Sequence, residues 1–163
     1  MERPLWAPWR MEFIDGPRPE GCIFCRFPAE QGEEPDRRNL LVHRSGQAFT
    51  MLNRYPYNSG HLMVIPLAHV ARLEDLPAPA FSDLHQELRR AIAVVREAYR
   101  PEGFNVGMNL GKVAGAGIAD HLHYHVVPRW GGDTNFMPVL ADTKVMVEHL
   151  DTTYERIRRA FAA

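Results

Sequence analysis

Two hydrophobic periodicities alternate along this chain. Residues 40–43 and 48–53 are short β-prone runs on either side of the polar Arg44-Ser45-Gly46-Gln47, the pattern of a hairpin. The turn Tyr55-Pro56-Tyr57-Asn58-Ser59-Gly60 leads into a third run, His61-Leu62-Met63-Val64-Ile65-Pro66, which proline ends. Over residues 81–100 the period changes: Phe81, Leu84, Leu88, Ile92, Val95 and Tyr99 recur at i, i+3/i+4, which predicts an amphipathic helix of about five turns. Pro79 or Ser82 marks its start and Pro101 closes it. Residues 104–110 and 121–128 read as a fourth and a fifth strand, joined by the glycine-rich Gly111-Lys112-Val113-Ala114-Gly115-Ala116-Gly117. A last helix is expected over residues 145–160, and the polar stretch after Cys25, with Pro28, Gly32 and Pro35, reads as a loop. The sum is an α+β fold: a mainly antiparallel five-stranded sheet with one long and one C-terminal helix.

Composition narrows the class. A chain of 163 residues, 45% hydrophobic, suits one domain with a full core, so residues 1–163 are expected to form a single unit. Residues 1–20, with Trp6, Trp9, Phe13 and several prolines, read as an extended aromatic arm. Nineteen basic and twenty acidic residues give a net charge of −1, which argues against nucleic acid as partner. No stretch reaches the roughly 20 apolar residues of a membrane span, nor does the N-terminal sequence carry the apolar segment of a secretory signal. The expectation is a cytoplasmic protein without a membrane partner. In that reducing setting Cys22 and Cys25, a C-x-x-C, suggest a metal clamp or a redox pair before a structural disulfide.

The chemistry concentrates in His121-Leu122-His123-Tyr124-His125-Val126-Val127. On a strand, alternate side chains share a face about 7 Å apart, so the three imidazoles would surround one small anion or one metal ion. The residues alone leave three readings open: histidines tolerated on a wet sheet face, a metal site of the His-x-His kind, or nucleophilic catalysis at phosphorus.

The run resembles the His-x-His-x-His-x-x signature of the histidine triad family. Cys22-Ile23-Phe24-Cys25, Asn53, the Gly60-His61 to Pro66 stretch, His69 and Pro128 follow in that family's order. Leu5-Trp6-Ala7-Pro8-Trp9-Arg10-Met11, the segments around Tyr55 and Met108, and Arg129-Trp130-Gly131-Gly132 look like its branch of diadenosine tetraphosphate phosphorylases and hydrolases. One departure is Gly115-Ala116-Gly117-Ile118-Ala119-Asp120, where many relatives place a glutamine and a hydroxyl residue.

The resemblance implies an enzyme that cleaves dinucleoside polyphosphates, diadenosine tetraphosphate foremost, at the α-phosphate through a nucleotidyl-histidine intermediate. His123 would be the nucleophile, working best above the imidazole pKa of roughly 6.5, and His125 a donor to the phosphate or the departing group. Asn53 would contact the ribose and Asn109 the phosphate chain, while Gly115 and Gly117 offer backbone amides. Phe49, Leu52 and Pro56 are candidate walls for adenine. Lys112, Arg129 and Lys144 are candidates to hold an anionic acceptor, and water or inorganic phosphate would decide between hydrolase and phosphorylase. His61 reads as a buried support. Cys22, Cys25, His69 and His121 would close a structural zinc site, and a divalent cation would travel with the substrate. A homodimer is implied, in which the long helix and sheet edges meet, with the arm extending it to a homotetramer. Alternative readings are a nucleoside phosphoramidate hydrolase, a zinc hydrolase using all three histidines as ligands, and a non-catalytic nucleotide-binding module.

Overall fold

The structure, a computed structural model, describes residues 21–135 and 145–163. The expected arm at residues 1–20 and Lys144 lie outside the described residues. The chain order is α1 (Ile23–Ala29), α2 (Glu33–Asn39), β1 (Leu41–Arg44), β2 (Ala48–Leu52), β3 (Leu62–Pro66), α3 (Ala78–Tyr99), β4 (Gly103–Gly107), β5 (Tyr124–Arg129) and α4 (Leu150–Ala162). The five strands form one antiparallel sheet in the order β1-β2-β3-β5-β4, an α+β fold. Among the described residues no helix is long and apolar enough to cross a membrane.

The stretch expected to be a loop holds two helices instead: Pro28 falls inside α1, whereas Gly32 and Pro35 sit where a helix tolerates them. Gly32, at φ 120°, is the N-cap of α2, and Pro35 falls in the first turn, where no backbone N–H is needed for the helix ladder. Glu33, Glu34 and Asp36 in that turn and Arg37 and Arg38 in the last complement the helix dipole. The long helix starts at Ala78, three residues before the expected start, with Pro77 as its N-cap and Pro79 in the first turn. Its buried stripe is Ala80, Leu84, Glu87, Ala91 and Val95, while Phe81 is exposed. The C-terminal helix starts five residues later than expected. His149 caps it, its ring accepting the Asp151 N–H at 3.4 Å.

Strand alternation sorts the sheet into two faces. Ala48, Leu52, Leu62, Val64 and Val126 meet α3 and α4 in the larger core. Phe49, Met51, Met63 and Ile65 point the other way and are covered by Phe24 of α1. On the helix side a polar contact is built into the core: Glu87, 2% exposed, accepts from Thr50 Oγ1 and sits 2.8 Å from His43 Nδ1.

The fifth strand is shorter than expected. It pairs with β3 only from Val64↔Tyr124 to Leu62↔Val126. Beyond that point Pro66 lacks an N–H to extend a ladder, and the chain carrying His121 and Leu122 leaves the strand to bond the segment after β3. The Leu122 N–H donates to the Val70 carbonyl at 2.8 Å, and His121 Nε2 to the Pro66 carbonyl at 2.8 Å. The three histidines therefore do not form a row along one strand.

Candidate active site and metal cluster

Departure from the ladder divides the histidines into two groups. His121 turns toward α1 and is buried; His123 and His125 stay together, ring centroids 5.0 Å apart. His61 adds a fourth imidazole, 0% exposed, with Nε2 3.0 Å from His125 Nδ1.

Backbone partners fix which nitrogens carry protons. A carbonyl can only accept, so His123 Nδ1, 2.9 Å from the His121 carbonyl, is protonated and its Nε2 holds a lone pair. A backbone N–H can only donate, so His61 Nδ1, 3.0 Å from the Tyr57 nitrogen, is an acceptor. Neutral His61 then carries its proton on Nε2 and donates to His125 Nδ1, which leaves the His125 proton on Nε2. The site thus presents a lone pair on His123 beside an N–H on His125. Burial holds the His123 imidazole below its ordinary pKa, with the bond to the His121 carbonyl a smaller opposing effect, so the ring stays neutral.

The apolar surroundings of this pair come from elements that periodicity did not connect to it. The Phe24 ring lies 5.1 Å from His123, and Met63, cross-strand from His125, shares the face with Met51. Phe49 belongs to the same cluster, fully buried beneath it, whereas Leu52 faces the helices on the other side of the sheet. These two are not brought together. Strict alternation along β2 was the available signal: Phe49 and Met51 share a face, Phe49 and Leu52 do not.

Asn53 holds its own turn, its Oδ1 accepting the Tyr55 N–H at 2.9 Å. Asn109 reaches the Gly115 carbonyl at 3.5 Å and so spans the neck of the glycine-rich loop, where Gly115 takes φ 94°. Gly117 is exposed, and the following Ile118 packs against the Phe24 cluster, which brings the loop to the histidine face. Lys112 is exposed on this loop. Arg129 is engaged elsewhere: its guanidinium binds Asp133 at 2.6 and 3.0 Å and Asn105 at 2.7 Å. Asp133 also receives Asn58 Nδ2 at 2.9 Å, so this cluster ties the end of β5 to the turn that bears His61.

The second group is a candidate metal cluster. Cys22, Cys25, His69 and His121 each offer one atom, all within 4.8 Å of one another. Cys22 Sγ and Cys25 Sγ lie 3.3 and 3.6 Å from His121 Nδ1, Cys25 Sγ 3.3 Å from His69 Nδ1, and the two Nδ1 atoms 3.2 Å apart. A tetrahedral zinc ion with bonds of about 2.3 Å to sulfur and 2.0–2.1 Å to nitrogen needs edges of about 3.3–3.8 Å. The donor set fits such an ion. The Pro66 carbonyl holds the His121 proton on Nε2 and leaves Nδ1 for a ligand. Burial chiefly pushes the His121 pKa down, against the smaller opposing effect of the bond to the Pro66 carbonyl, which favours the neutral ligand form. Burial and then Cys22 push the Cys25 thiol up, so a cation among the four is what would favour its thiolate.

Comparison with known proteins decides the family: the HIT domain model matches residues 34–132. The chain belongs to the HIT family. It is 42% identical over 154 residues to a protein of Mycobacterium tuberculosis named AP-4-A phosphorylase, covering 91% of this chain and 79% of that one. The adenosine 5′-monophosphoramidase of Candida albicans is 30% identical, with 66% and 70% covered. Among solved structures, a zinc-bound histidine triad family protein from Mycobacterium smegmatis superposes with a TM-score of 0.67 at 25% identity, over 86% of this chain and 93% of that one. Of the three alternating histidines only His123 and His125 lie together, while His121 stands among Cys22, Cys25 and His69.

Proposed function

We propose that this HIT-family enzyme cleaves dinucleoside polyphosphates, diadenosine tetraphosphate foremost, at the α-phosphate through a covalent intermediate on His123. What carries the reading is the tautomer pair that the hydrogen bonds assign in two rings 5.0 Å apart, a lone pair at His123 Nε2 and an N–H at His125 Nε2. In the first step the His123 lone pair bonds to the α-phosphorus, the bond from phosphorus to the departing bridging oxygen breaks, and His125 Nε2–H supports the negative charge growing on that oxygen. In the second step an oxygen of the acceptor bonds to the same phosphorus, the P–N bond breaks and the electron pair returns to His123. The name of the mycobacterial relative favours inorganic phosphate as acceptor.

The remaining parts support this reading. Asn53 and Asn109, with the amides of Gly115 and Gly117, line the approach as ribose and phosphate contacts, and the face around Phe24 and Met51 is the wall for a base. Cys22, Cys25, His69 and His121 hold structural zinc, whose role is to fix α1 and the His121 carbonyl against which His123 is oriented. A divalent cation accompanies the polyphosphate. The edge strand β4, with Val106 42% exposed, and α3 are the surfaces for a homodimer. Free Cys22 and Cys25 suit the reducing cytoplasm.

Product analysis by phosphorus NMR tests the function. Diadenosine tetraphosphate with inorganic phosphate should give ADP and ATP, and without it AMP and ATP. Failure to cleave it under either condition, or formation of ADP alone without phosphate, would overturn the reading.

A further inference from the structure

The two cysteines stand on one turn of chain at the start of α1. Cys22 is the N-cap, and the Cys25 N–H donates to its carbonyl at 3.2 Å. A turn closed in this way holds its ends within about 7 Å, the separation a disulfide takes. The two sulfurs themselves lie within 4.8 Å of one another. Cys25 is exposed and Cys22 half-buried, so the pair opens to solvent although its partner His121 is 1% exposed. An accessible cysteine beside a second one able to resolve it is the arrangement of redox-sensing sites, whose disulfides are transient in a reducing compartment.

Two contacts carry the state of this turn to the nucleophile. Phe24, between the cysteines, packs against both His121 and His123, with ring centroids 5.5 and 5.1 Å away. His121, whose Nδ1 lies 3.3 and 3.6 Å from the two sulfurs, supplies the carbonyl that accepts the His123 Nδ1–H at 2.9 Å. The bond that sets the tautomer of His123 is therefore made by the residue that the sulfurs face.

From this solvent-facing pair and its two contacts to His123, we propose that Cys22 and Cys25 are an oxidation site that turns the enzyme off, a step that rests on the zinc reading above. Both sulfurs are thiolates in the zinc-holding chain. With hydrogen peroxide as oxidant, the Cys25 sulfur attacks one oxygen, the O–O bond breaks and hydroxide leaves, giving a sulfenic acid. The Cys22 thiolate then attacks the Cys25 sulfur, the S–O bond breaks, a second hydroxide leaves and the S–S bond forms. Two electrons pass from the sulfurs to peroxide, and two protons from solvent convert the hydroxides to water. The disulfide no longer offers two anionic ligands, so the ion is lost and His121 and Phe24 lose the anchor that holds them against His123. A thiol reductant and zinc restore the site.

The test treats the full zinc-loaded chain with hydrogen peroxide and follows, on the same samples, zinc release to a chromophoric chelator, thiol content, peptide masses and turnover of diadenosine tetraphosphate. Expected are one zinc released for every two thiols lost, a disulfide-linked Cys22–Cys25 peptide, a fall in kcat of about ten-fold or more in step with the release, and recovery with dithiothreitol and zinc. Diamide, which oxidises thiols and spares methionine, should act in the same way and so separates the pair from Met51 and Met63 on the same sheet face. In His123→Ala zinc release and disulfide formation should proceed as in the native chain, because neither needs turnover. A zinc-loaded chain whose turnover survives closure of the disulfide, or whose activity falls while both thiols and the zinc persist, overturns this inference and leaves the zinc reading standing. A chain that carries no zinc before oxidant is added overturns both.

Discussion

His61→Asn probes the proton arrangement of the site without touching His123. The asparagine Oδ1 can take over from the His61 Nδ1 as acceptor for the Tyr57 N–H, which spans 3.0 Å, but its shorter side chain withdraws the donor that lies 3.0 Å from His125 Nδ1. A hydrogen bond between neutral groups is worth about 0.5–1.5 kcal/mol net, and at about 1.4 kcal/mol per factor of ten its loss lowers the ratio of the Nε2–H to the Nδ1–H tautomer of His125 by about two- to twelve-fold. Because that N–H is used as charge develops on the departing oxygen, the loss should fall on kcat and leave KM within about two-fold. His61 is fully buried and its ring stacks on Tyr57 at a centroid distance of 4.8 Å, so the smaller side chain should also cost about 1–3 kcal/mol of stability. His61→Gln, whose amide reaches farther, should return part of kcat by restoring a donor toward His125. Steady-state kinetics on diadenosine tetraphosphate, with urea unfolding of each variant, checks both numbers. Wild-type kcat in folded His61→Asn, or a loss carried entirely by KM, would refute the tautomer argument.

Other consequences are equally direct. Protein purified without added metal should carry about one zinc per chain, and Cys25→Ala should lower that content and the melting temperature together; metal analysis beside calorimetry decides it. Glu87→Ala leaves Thr50 and His43 without their shared carboxylate in the core and should cost about 2–5 kcal/mol in denaturant unfolding, against under 0.5 kcal/mol for a surface substitution such as Glu97→Ala. Arg129 chiefly, with the Trp130 N–H and Asn58, holds the Asp133 carboxyl well below the usual carboxylate range. A depressed folded pKa means stability present above the unfolded value of about 3.9 and lost as pH falls below it, so the stability gap between the native chain and Asp133→Asn should be largest near neutrality and shrink below about pH 4. A gap independent of pH from 7 to 3 would show that the carboxylate charge is not what the cluster uses.

Much of this architecture was legible because its signals are local. Strand alternation in β2 and β3 and the 3.6-residue period of α3 mark elements whose buried faces recur at fixed spacing. What the sequence concealed depended on partners distant in the chain. Pro28, Gly32 and Pro35 read as breakers, yet Gly32 and Pro35 occupy helix-start positions and the helices survive because Phe24 has a sheet face to cover. The alternating histidines read as one row; Pro66, some 55 residues earlier, ends the ladder and turns His121 toward the cysteines. Leu52 and Phe49, by contrast, are expected on one wall although they stand three apart on β2, and the alternation of the strand, which was legible, puts them on opposite faces. The His61 donor to His125 depends on the turn closing over Tyr57, which no periodicity encodes.

The most direct measurement is capture of the reaction intermediate: acid-free quenching of the native chain during turnover of diadenosine tetraphosphate labelled at the α-phosphorus, then peptide mapping under conditions that preserve P–N bonds. The account predicts an adenylyl group on Nε2 of His123, formed and consumed at rates compatible with kcat, and no labelled peptide from His123→Ala. Label on a different residue, or sustained turnover with no covalent adduct at His123, would contradict it.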